Sequence, residues 1–314
     1  MRSPVATEQL QVTFWGVRGS IPTPGYETSR YGGNTLCVEL RFGDCGRTFI
    51  IDAGSGIRRL GDDLLSRSGG ATGQNVDLLL SHTHLDHILG LPFFGPLYRR
   101  DTRLTLYGPT ISPDDRLEQV IGGQLCYRYF PVRQVELAAQ ITYVDLREGV
   151  YDLGDGIKLT ATYLNHPLLC MGYRFDWQGR SVCTAFDTEP FRNLFITDPE
   201  DPAYDAVMAL EGEQAAREAD HRMRLFFRNA DLLIHDGQYT EQEYRNGRSG
   251  WGHSSIEQAS QAAEAAGCRR LALIHHDPMR SDSELDVLAR QYGGLRSVSG
   301  LEVCFAREGL AITC

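Results

Sequence analysis

The sequence lacks three features that would each point to a particular class of protein. It has no run of about 18 apolar residues, so no transmembrane helix is predicted. Residues 1–11 contain no apolar signal-peptide core. The eight cysteines form no Cys-x-x-Cys pair, and this scatter is typical of reduced thiols rather than of a disulfide framework. We therefore expect a cytoplasmic protein without a membrane partner.

An excess of basic residues is also absent, because the formal net charge is -10. Proteins that grip duplex DNA or tRNA neutralise many phosphates with Lys and Arg. The charge balance therefore favours a small-molecule substrate over polymeric nucleic acid.

The length of 314 residues and the apolar content of 42% are sufficient for a full hydrophobic core. The order strand–strand–helix recurs in two loose halves of the sequence. This order predicts two sheets packed between helices in a single domain over 1–314. Residues 189–228 interrupt this order with a charged stretch of helical composition. We interpret them as a helical insertion that serves as a lid, as a self-association surface or simply as a solvated helix.

Alternating and apolar runs predict the individual strands, and Gly-containing turns predict how they pair. Predicted helices cover 256–266 and 281–292, and the turn-rich stretch 148–156 is expected to separate two strands. The sequence predicts hairpins over 36–52, 171–185 and 303–313.

The most informative stretch is 81–87, which contains His82, His84, Asp86 and His87 in the pattern His-x-His-x-Asp-His. It follows a short apolar run that is typical of a buried strand, at the strand end where α/β folds place ligands. Imidazole and carboxylate together suit zinc, manganese or iron, and four such groups can supply more than one ion.

Further polar residues follow other predicted strands in the same way: Asp52, His166, Asp187, Asp236 and His275 with His276. Asp52 could accept hydrogen bonds from the stretch 81–87, or it could cap the helix that follows. His275 comes directly after a strand pattern and is favoured over its neighbour His276.

Taken in order, these residues resemble the five-motif signature of metallo-β-lactamase-fold hydrolases, which implies a four-layer αββα sandwich of the α/β (α+β) class. The resemblance implies two metal ions. It assigns His82, His84 and His166 to the first ion, Asp86, His87 and His275 to the second, and Asp187 as the bridge. Zinc is the first expectation, with manganese or iron as alternatives.

The segments 14–22 and 33–35, together with His253-Ser254-Ser255, resemble the ribonuclease Z and phosphoribosyl cyclic phosphodiesterase branch. There the matching His is a general acid, with an acidic partner at the position of Asp236. No Cys neighbours Asp187, unlike the commonest β-lactamases, and the basic tRNA-gripping arm of ribonuclease Z is missing.

The resemblance thus implies a dinuclear phosphodiesterase that works through a hydroxide shared by the metals. The missing basic arm and the helical insertion favour a small substrate, a nucleotide or sugar phosphodiester, including cyclic ones. The predicted catalytic residues are Asp86, His253 and Asp236. Arg18 and His276 are the predicted substrate-binding residues, Arg18 because a guanidinium fits phosphate in a bidentate manner.

Two other functions stay open. The same metals could hydrolyse a carbon ester, thioester or lactam, or the chain could be a non-catalytic metal sensor. A homodimer is the assembly that the resemblance suggests.

Overall fold

A computed structural model describes residues 9–43, 45–67, 74–110, 116–295 and 298–314, with Leu295 by its backbone alone. The prediction of no signal peptide concerns residues 1–11, most of which lie outside the described part of the chain. Position 44, in the first predicted hairpin, lies outside it as well. In the described part, no helix is both long enough and apolar enough to cross a membrane.

The chain forms groups of strands separated by α-helices, with short 3-10 turns between some of them. The α-helices are α1 (Ile57–Arg67), α2 (Leu85–Ile88), α3 (Leu117–Gln124), α4 (Ala206–Phe227), α5 (Glu241–Arg245), α6 (Ile256–Ala265) and α7 (Asp282–Tyr292). The strands are β1 (Leu10–Gly16), β2 (Cys37–Phe42), β3 (Arg47–Ile51), β4 (Asn75–Leu79), β5 (Arg103–Pro109), β6 (Gln140–Leu146), β7 (Gly149–Asp152), β8 (Lys158–Leu164), β9 (Cys170–Trp177), β10 (Arg180–Ala185), β11 (Leu232–Asp236), β12 (Arg270–Ile274), β13 (Gly294–Leu295), β14 (Glu302–Phe305) and β15 (Ala311–Thr313).

The described strands form two mixed sheets. The first has the order β15-β1-β2-β3-β4-β5-β6, and the second has the order β13-β14-β12-β11-β10-β9-β8-β7. In the first sheet β3, β4, β5 and β6 run parallel to one another, and in the second β10, β11, β12 and β14 do so. The carboxyl ends of β4, β10 and β12 lead into candidate metal ligands.

Aromatic side chains fill the space between the two sheets. Phe42 and Phe49 of the first sheet contact Phe175 of the second at ring-centroid distances of 6.0 and 5.4 Å, and Phe42 also meets Trp177 at 5.5 Å. These rings belong to a large buried cluster to which strands of both sheets contribute. Burial of such large apolar surfaces is the main force that holds the sheets together.

Helices cover the outer face of each sheet. Residues of α1 and α3 share a buried apolar cluster with strands of the first sheet, and residues of α4, α6 and α7 share another with the second. The order of layers is therefore helix, sheet, sheet, helix, which confirms the predicted αββα sandwich.

The local predictions succeed where strands pair with chain neighbours. The hairpins β2–β3 and β9–β10 form as expected, and Ser255 and Ser281 begin α6 and α7 by accepting hydrogen bonds from Gln258 N and Glu284 N. The predicted hairpin over 303–313 is wrong. β14 pairs with β12 in the second sheet, whereas β15 pairs with β1 in the first, so the turn between them crosses from sheet to sheet. The turn-rich stretch 148–156 also contains β7.

The charged segment contains the long helix α4. Asp205 caps the start of this helix, because its carboxylate accepts hydrogen bonds from the N–H groups of Val207 and Met208. Its far end is anchored, because Phe226 and Phe227 lie in the cluster beneath α6. The description of 189–228 as an insertion within a single domain stays a prediction.

Two hydrogen bonds connect the second sheet to the chain as it leaves β4. The Tyr173 hydroxyl donates to the Leu80 carbonyl at 2.6 Å, and Met171 N donates to the Ser81 carbonyl at 2.8 Å.

Replacing Tyr173 by Phe leaves the buried Leu80 carbonyl without this donor. We expect the free energy of unfolding, measured by urea denaturation, to fall by about 1–3 kcal/mol. Tyr129→Phe, at a side chain that is 76% exposed, is the control and should change little; equal stability of the two variants would contradict this assignment.

Candidate metal centre

Polar side chains from both sheets meet near the carboxyl ends of strands. The first sheet supplies the loop after β4, and the second supplies His166 after β8, Asp187 after β10, Asp236 at the end of β11 and His275 after β12. Because β4, β10 and β12 end in buried residues, the chain that follows each of them is held in place by the core. The structure groups the candidate ligands into two sets that share Asp187.

The first set contains His82, His84, His166 and Asp187, whose ligand atoms lie within 4.8 Å of one another. His84 Nδ1 is 3.1 Å from His166 Nε2, and His82 Nε2 is 3.5 Å from Asp187 Oδ2. His84 is exposed, so this set opens to solvent.

The second set contains Asp86, His87, Asp187 and His275, and all four residues are buried. His87 Nε2 lies 3.3 Å from Asp86 Oδ2 and 3.2 Å from Asp187 Oδ2. His275 Nε2 lies 3.4 Å from Asp86 Oδ2 and 3.3 Å from Asp187 Oδ1. Asp187 thus reaches one set with Oδ2 and the other with both oxygens.

Several of these inward atoms have no hydrogen-bond partner. They are the Nε2 atoms of His82, His87 and His275 and the Oδ1 atom of Asp187, all of them buried. Unpaired buried polar atoms are costly, and a bound cation satisfies them. Mixed imidazole and carboxylate donors suit divalent transition ions. The residues therefore fit two divalent metal ions.

The outer ring nitrogens are held by partners that fix each imidazole. His87 Nδ1 lies 2.7 Å from Asp52 Oδ2, His166 Nδ1 is 3.0 Å from the Gly252 carbonyl, and His275 Nδ1 is 3.1 Å from Gln238 Oε1. In each case Nδ1 donates and Nε2 is left to face the centre.

Asp52 also accepts from the backbone N–H and the hydroxyl of Ser81, at 2.6 and 2.7 Å. Of its two expected roles, the structure shows the one that organises the loop 81–87. Burial raises the pKa of Asp52, although the contacts to His87 and Ser81 favour its charged form.

The histidines differ in how the surroundings affect their protonation. Burial lowers the pKa of His82 far below the ordinary value. Burial also disfavours the charged form of His275, but the nearby carboxylates of Asp187 and Asp86 outweigh it and raise the pKa of His275 to about 9. In the metal-free protein His275 therefore carries a proton at neutral pH.

A His–Asp pair adjoins the second set. His253 Nδ1 donates to Asp236 Oδ2 at 2.8 Å, and the His253 ring stacks on His275 with centroids 4.6 Å apart. Asp236 is itself fixed, since Oδ1 accepts from Gln238 N at 2.9 Å. This arrangement leaves His253 Nε2 as the ring nitrogen that can meet a substrate.

Arg18 does not contact the centre, and its predicted role in substrate binding is wrong. Its side chain is 0% exposed, with Nε donating to the Gly32 carbonyl and Nη1 to the carbonyls of Asp277 and Arg280. Asp282 lies 3.6 Å from its Nη2. The guanidinium stabilises backbone turns instead of meeting a phosphate.

His276 is likewise turned away, so the choice between it and His275 is resolved in favour of His275. His276 Nε2 donates to the Ala306 carbonyl at 2.8 Å, and its ring stacks on Phe305. Burial lowers the pKa of His276 to about 3, so it is neutral and carries no charge for a substrate. Its predicted contact with substrate is therefore wrong.

Sequence reasoning missed several residues that support the ligands. Gln238 holds His275, and Ser20 N donates to Asp86 Oδ2 at 2.7 Å. Gly19 packs its backbone against His275, because a Cβ there would lie 2.1 Å from the imidazole. The backbone of the segment 14–22 thus approaches a ligand side chain. Gln238 lies two residues after β11, and this place near a strand end was its signal in the sequence.

We expect the two sets to lose metal separately. His84→Ala removes a donor of the first set only and Asp86→Ala one of the second only, so each should lower the metal content from two ions toward one per chain. Asp187→Ala should lower both affinities, because both sets use this carboxylate. Elemental analysis after dialysis measures the content, with His221→Ala on the exposed part of α4 as the control. Unchanged content in Asp187→Ala would contradict the shared role.

Metal affinity should depend on pH through His275. Below a pH of about 9 an ion must displace the proton from this imidazole, so affinity should rise from pH 6 to about 9. Asp187, Asp86 and Asp52 raise the pKa of His87 as well, against the effect of its burial, so proton displacement there extends the rise. Calorimetry at pH 7.5 in two buffers of different ionisation enthalpy should show protons released on zinc binding. His275→Gln should release fewer protons on zinc binding than the wild type. Equal proton release by the variant and the wild type would contradict the presence of a proton on His275.

Comparisons with known proteins agree with the geometry. Residues 47–201 match the family model described as Beta-lactamase superfamily domain. The chain is 30% identical over 230 residues to ribonuclease Z of Lactococcus lactis subsp. cremoris (strain SK11), across 63% of this chain and 69% of that protein. It is 27% identical over 294 residues to ribonuclease Z of Haloarcula marismortui, across 85% and 86%.

A solved structure described as a new diphosphatase from the PhnP family superposes with a TM-score of 0.62 at 17% identity, covering 96% of this chain and 97% of that one. This likeness supports the fold. The family model, the relatives and the two ligand sets together lead to one conclusion: the chain belongs to the β-lactamase superfamily, in the branch that contains ribonuclease Z, and it is a metal-dependent hydrolase.

Proposed function

We propose that this hydrolase is a phosphodiesterase that acts on a small nucleotide or sugar phosphodiester, including cyclic ones. It holds two divalent ions, and zinc is the metal that we expect first. His82, His84 and His166 would hold one ion, Asp86, His87 and His275 the other, and Asp187 both. Two such ions activate water at neutral pH and neutralise charge on phosphate oxygens.

The observation that carries the proposal is the pair of His253 and Asp236 beside the centre. A phosphodiester with an alkoxide leaving group needs a proton at the leaving oxygen, and His can supply it near neutral pH. Asp236 holds Nδ1 of His253, so that Nε2 presents the proton.

The site is open on the side of the first set. His84 and Leu85 are exposed, whereas Asp86, His87 and His275 are buried. A substrate therefore approaches over His84 and His166, and His166 is also a neighbour of His253, with ring centroids 5.4 Å apart. The general acid thus stands beside the open edge at which a leaving group would emerge.

The net charge of -10 supports a small substrate, since a polymer would bring many phosphates into an unfavourable field. The two relatives described above are named ribonuclease Z, and RNA is accordingly the substrate class against which the proposal has to be tested. Carbon-ester hydrolysis and metal sensing do not need the His253–Asp236 pair, and no contact described above favours either.

The test compares leaving groups. With zinc or manganese, the wild type should hydrolyse both bis(p-nitrophenyl) phosphate and a 2′,3′-cyclic nucleotide. His253→Ala should lose about 10²- to 10⁴-fold in kcat on the cyclic nucleotide, whose alkoxide needs a proton. It should lose far less on the aryl ester, whose leaving group is stable as an anion. Asp236→Asn should show the same selectivity to a smaller degree.

His221→Ala is the control and should hydrolyse both substrates like the wild type. Equal losses on both esters in His253→Ala would reject the general acid. Absence of turnover with either metal, at two bound ions per chain, would reject the phosphodiesterase. Faster cleavage of a structured RNA than of any small phosphodiester would reject the small substrate.

A further inference from the structure

A tryptophan stands exposed at the edge of the metal centre. The Trp251 side chain is 53% exposed, although its chain neighbour Gly252 contacts the ligand His166 and the next residue is His253. Neither metal binding nor proton transfer uses it. An exposed indole ring beside a reactive site offers an aromatic face on which a planar group can stack.

The loop that carries Trp251 is tightly anchored. Glu189, which is buried, accepts from Gly250 N at 2.8 Å and from the Tyr244 hydroxyl at 3.0 Å. On the other side the Gly252 carbonyl accepts from His166. Gly252 has a φ of 84°, and a Cβ there would lie 2.3 Å from His166 Nδ1, so the close approach requires glycine. Trp251 is thus held at a fixed place relative to a metal ligand.

A cation fixes the ring itself. The Arg248 guanidinium lies over the Trp251 ring, 4.4 Å from its centroid, and over the Tyr239 ring at 5.8 Å. Tyr239 in turn meets the His253 ring edge-on at 6.2 Å. Arg248 therefore occupies one face of the indole and connects it to the neighbourhood of the general acid. The exposed part of the indole stays open to a second planar group.

We propose that Trp251, backed by Arg248, stacks a nucleobase of the substrate. This inference rests on the proposed phosphodiesterase function and narrows it, because it selects nucleotides over base-free sugar phosphodiesters. A preorganised ring binds a flat heterocycle at little entropic cost, and every base has an aromatic face, so the contact selects for a base without selecting which one. Trp251 is a specificity residue, whereas His253 and Asp236 act on the phosphate.

Binding tests this without any turnover. The zinc-loaded wild type should bind AMP more tightly than ribose 5-phosphate, which lacks the base, in isothermal titration. Trp251→Ala should weaken AMP binding by about five- to one-hundredfold, the range that base stacking supplies, and should leave ribose 5-phosphate unchanged. Trp251→Phe keeps a ring and should retain most of the affinity for AMP.

An equal loss for both ligands in Trp251→Ala would show that the residue only shapes the loop, and would overturn the proposal. Equal affinity of the wild type for the two ligands would overturn it as well. Assays with a 2′,3′-cyclic nucleotide separate the two proposals. Stacking on Trp251 predicts a higher KM with little change in kcat in Trp251→Ala. Trp251-dependent AMP binding without hydrolysis of any phosphodiester would support the base site while rejecting the phosphodiesterase activity.

Discussion

The carboxylate of Asp187 is the constraint on which the site depends. It is buried, and it lies within 3.2–3.5 Å of imidazole Nε2 atoms from His82, His87 and His275. Without a metal, these nitrogens have no hydrogen-bond partner, and the neighbouring carboxylates raise the pKa values of both His87 and His275 despite their burial. Burying a charge in this way is expensive unless a cation is supplied. The surrounding fold therefore holds groups together that would otherwise separate into water.

The backbone at the strand ends shows how the fold meets this cost. Asp52 and His275 both adopt positive φ values, 62° and 58°, which L-residues rarely take. Each follows a strand whose buried residues fix the chain on one side, and each is held by side-chain hydrogen bonds on the other. Packing over the whole sandwich thus maintains the conformation of two residues at the centre.

The structure brings together the candidate ligands that the sequence indicated, because these residues follow buried strands, and short apolar runs reveal strand ends without knowledge of their partners. Asp52, His166, Asp187 and His275 were found in this way. Arg18 and His276 were misplaced because the direction of a side chain depends on distant contacts. Arg18 binds carbonyls some 260 residues away in the chain, at Asp277 and Arg280. The final hairpin failed for a similar reason, since the sheet that each strand joins is decided by its long-range partners.

The ligands come from both halves of the sandwich: the loop after β4 belongs to the first sheet, and His166, Asp187 and His275 belong to the second. An ion held by both halves ties them together and cannot be bound fully by either half alone. A complete ligand set for either ion therefore exists only when the two sheets are docked. Ions bound there would act as cross-links that favour the assembled state over the open chain by mass action.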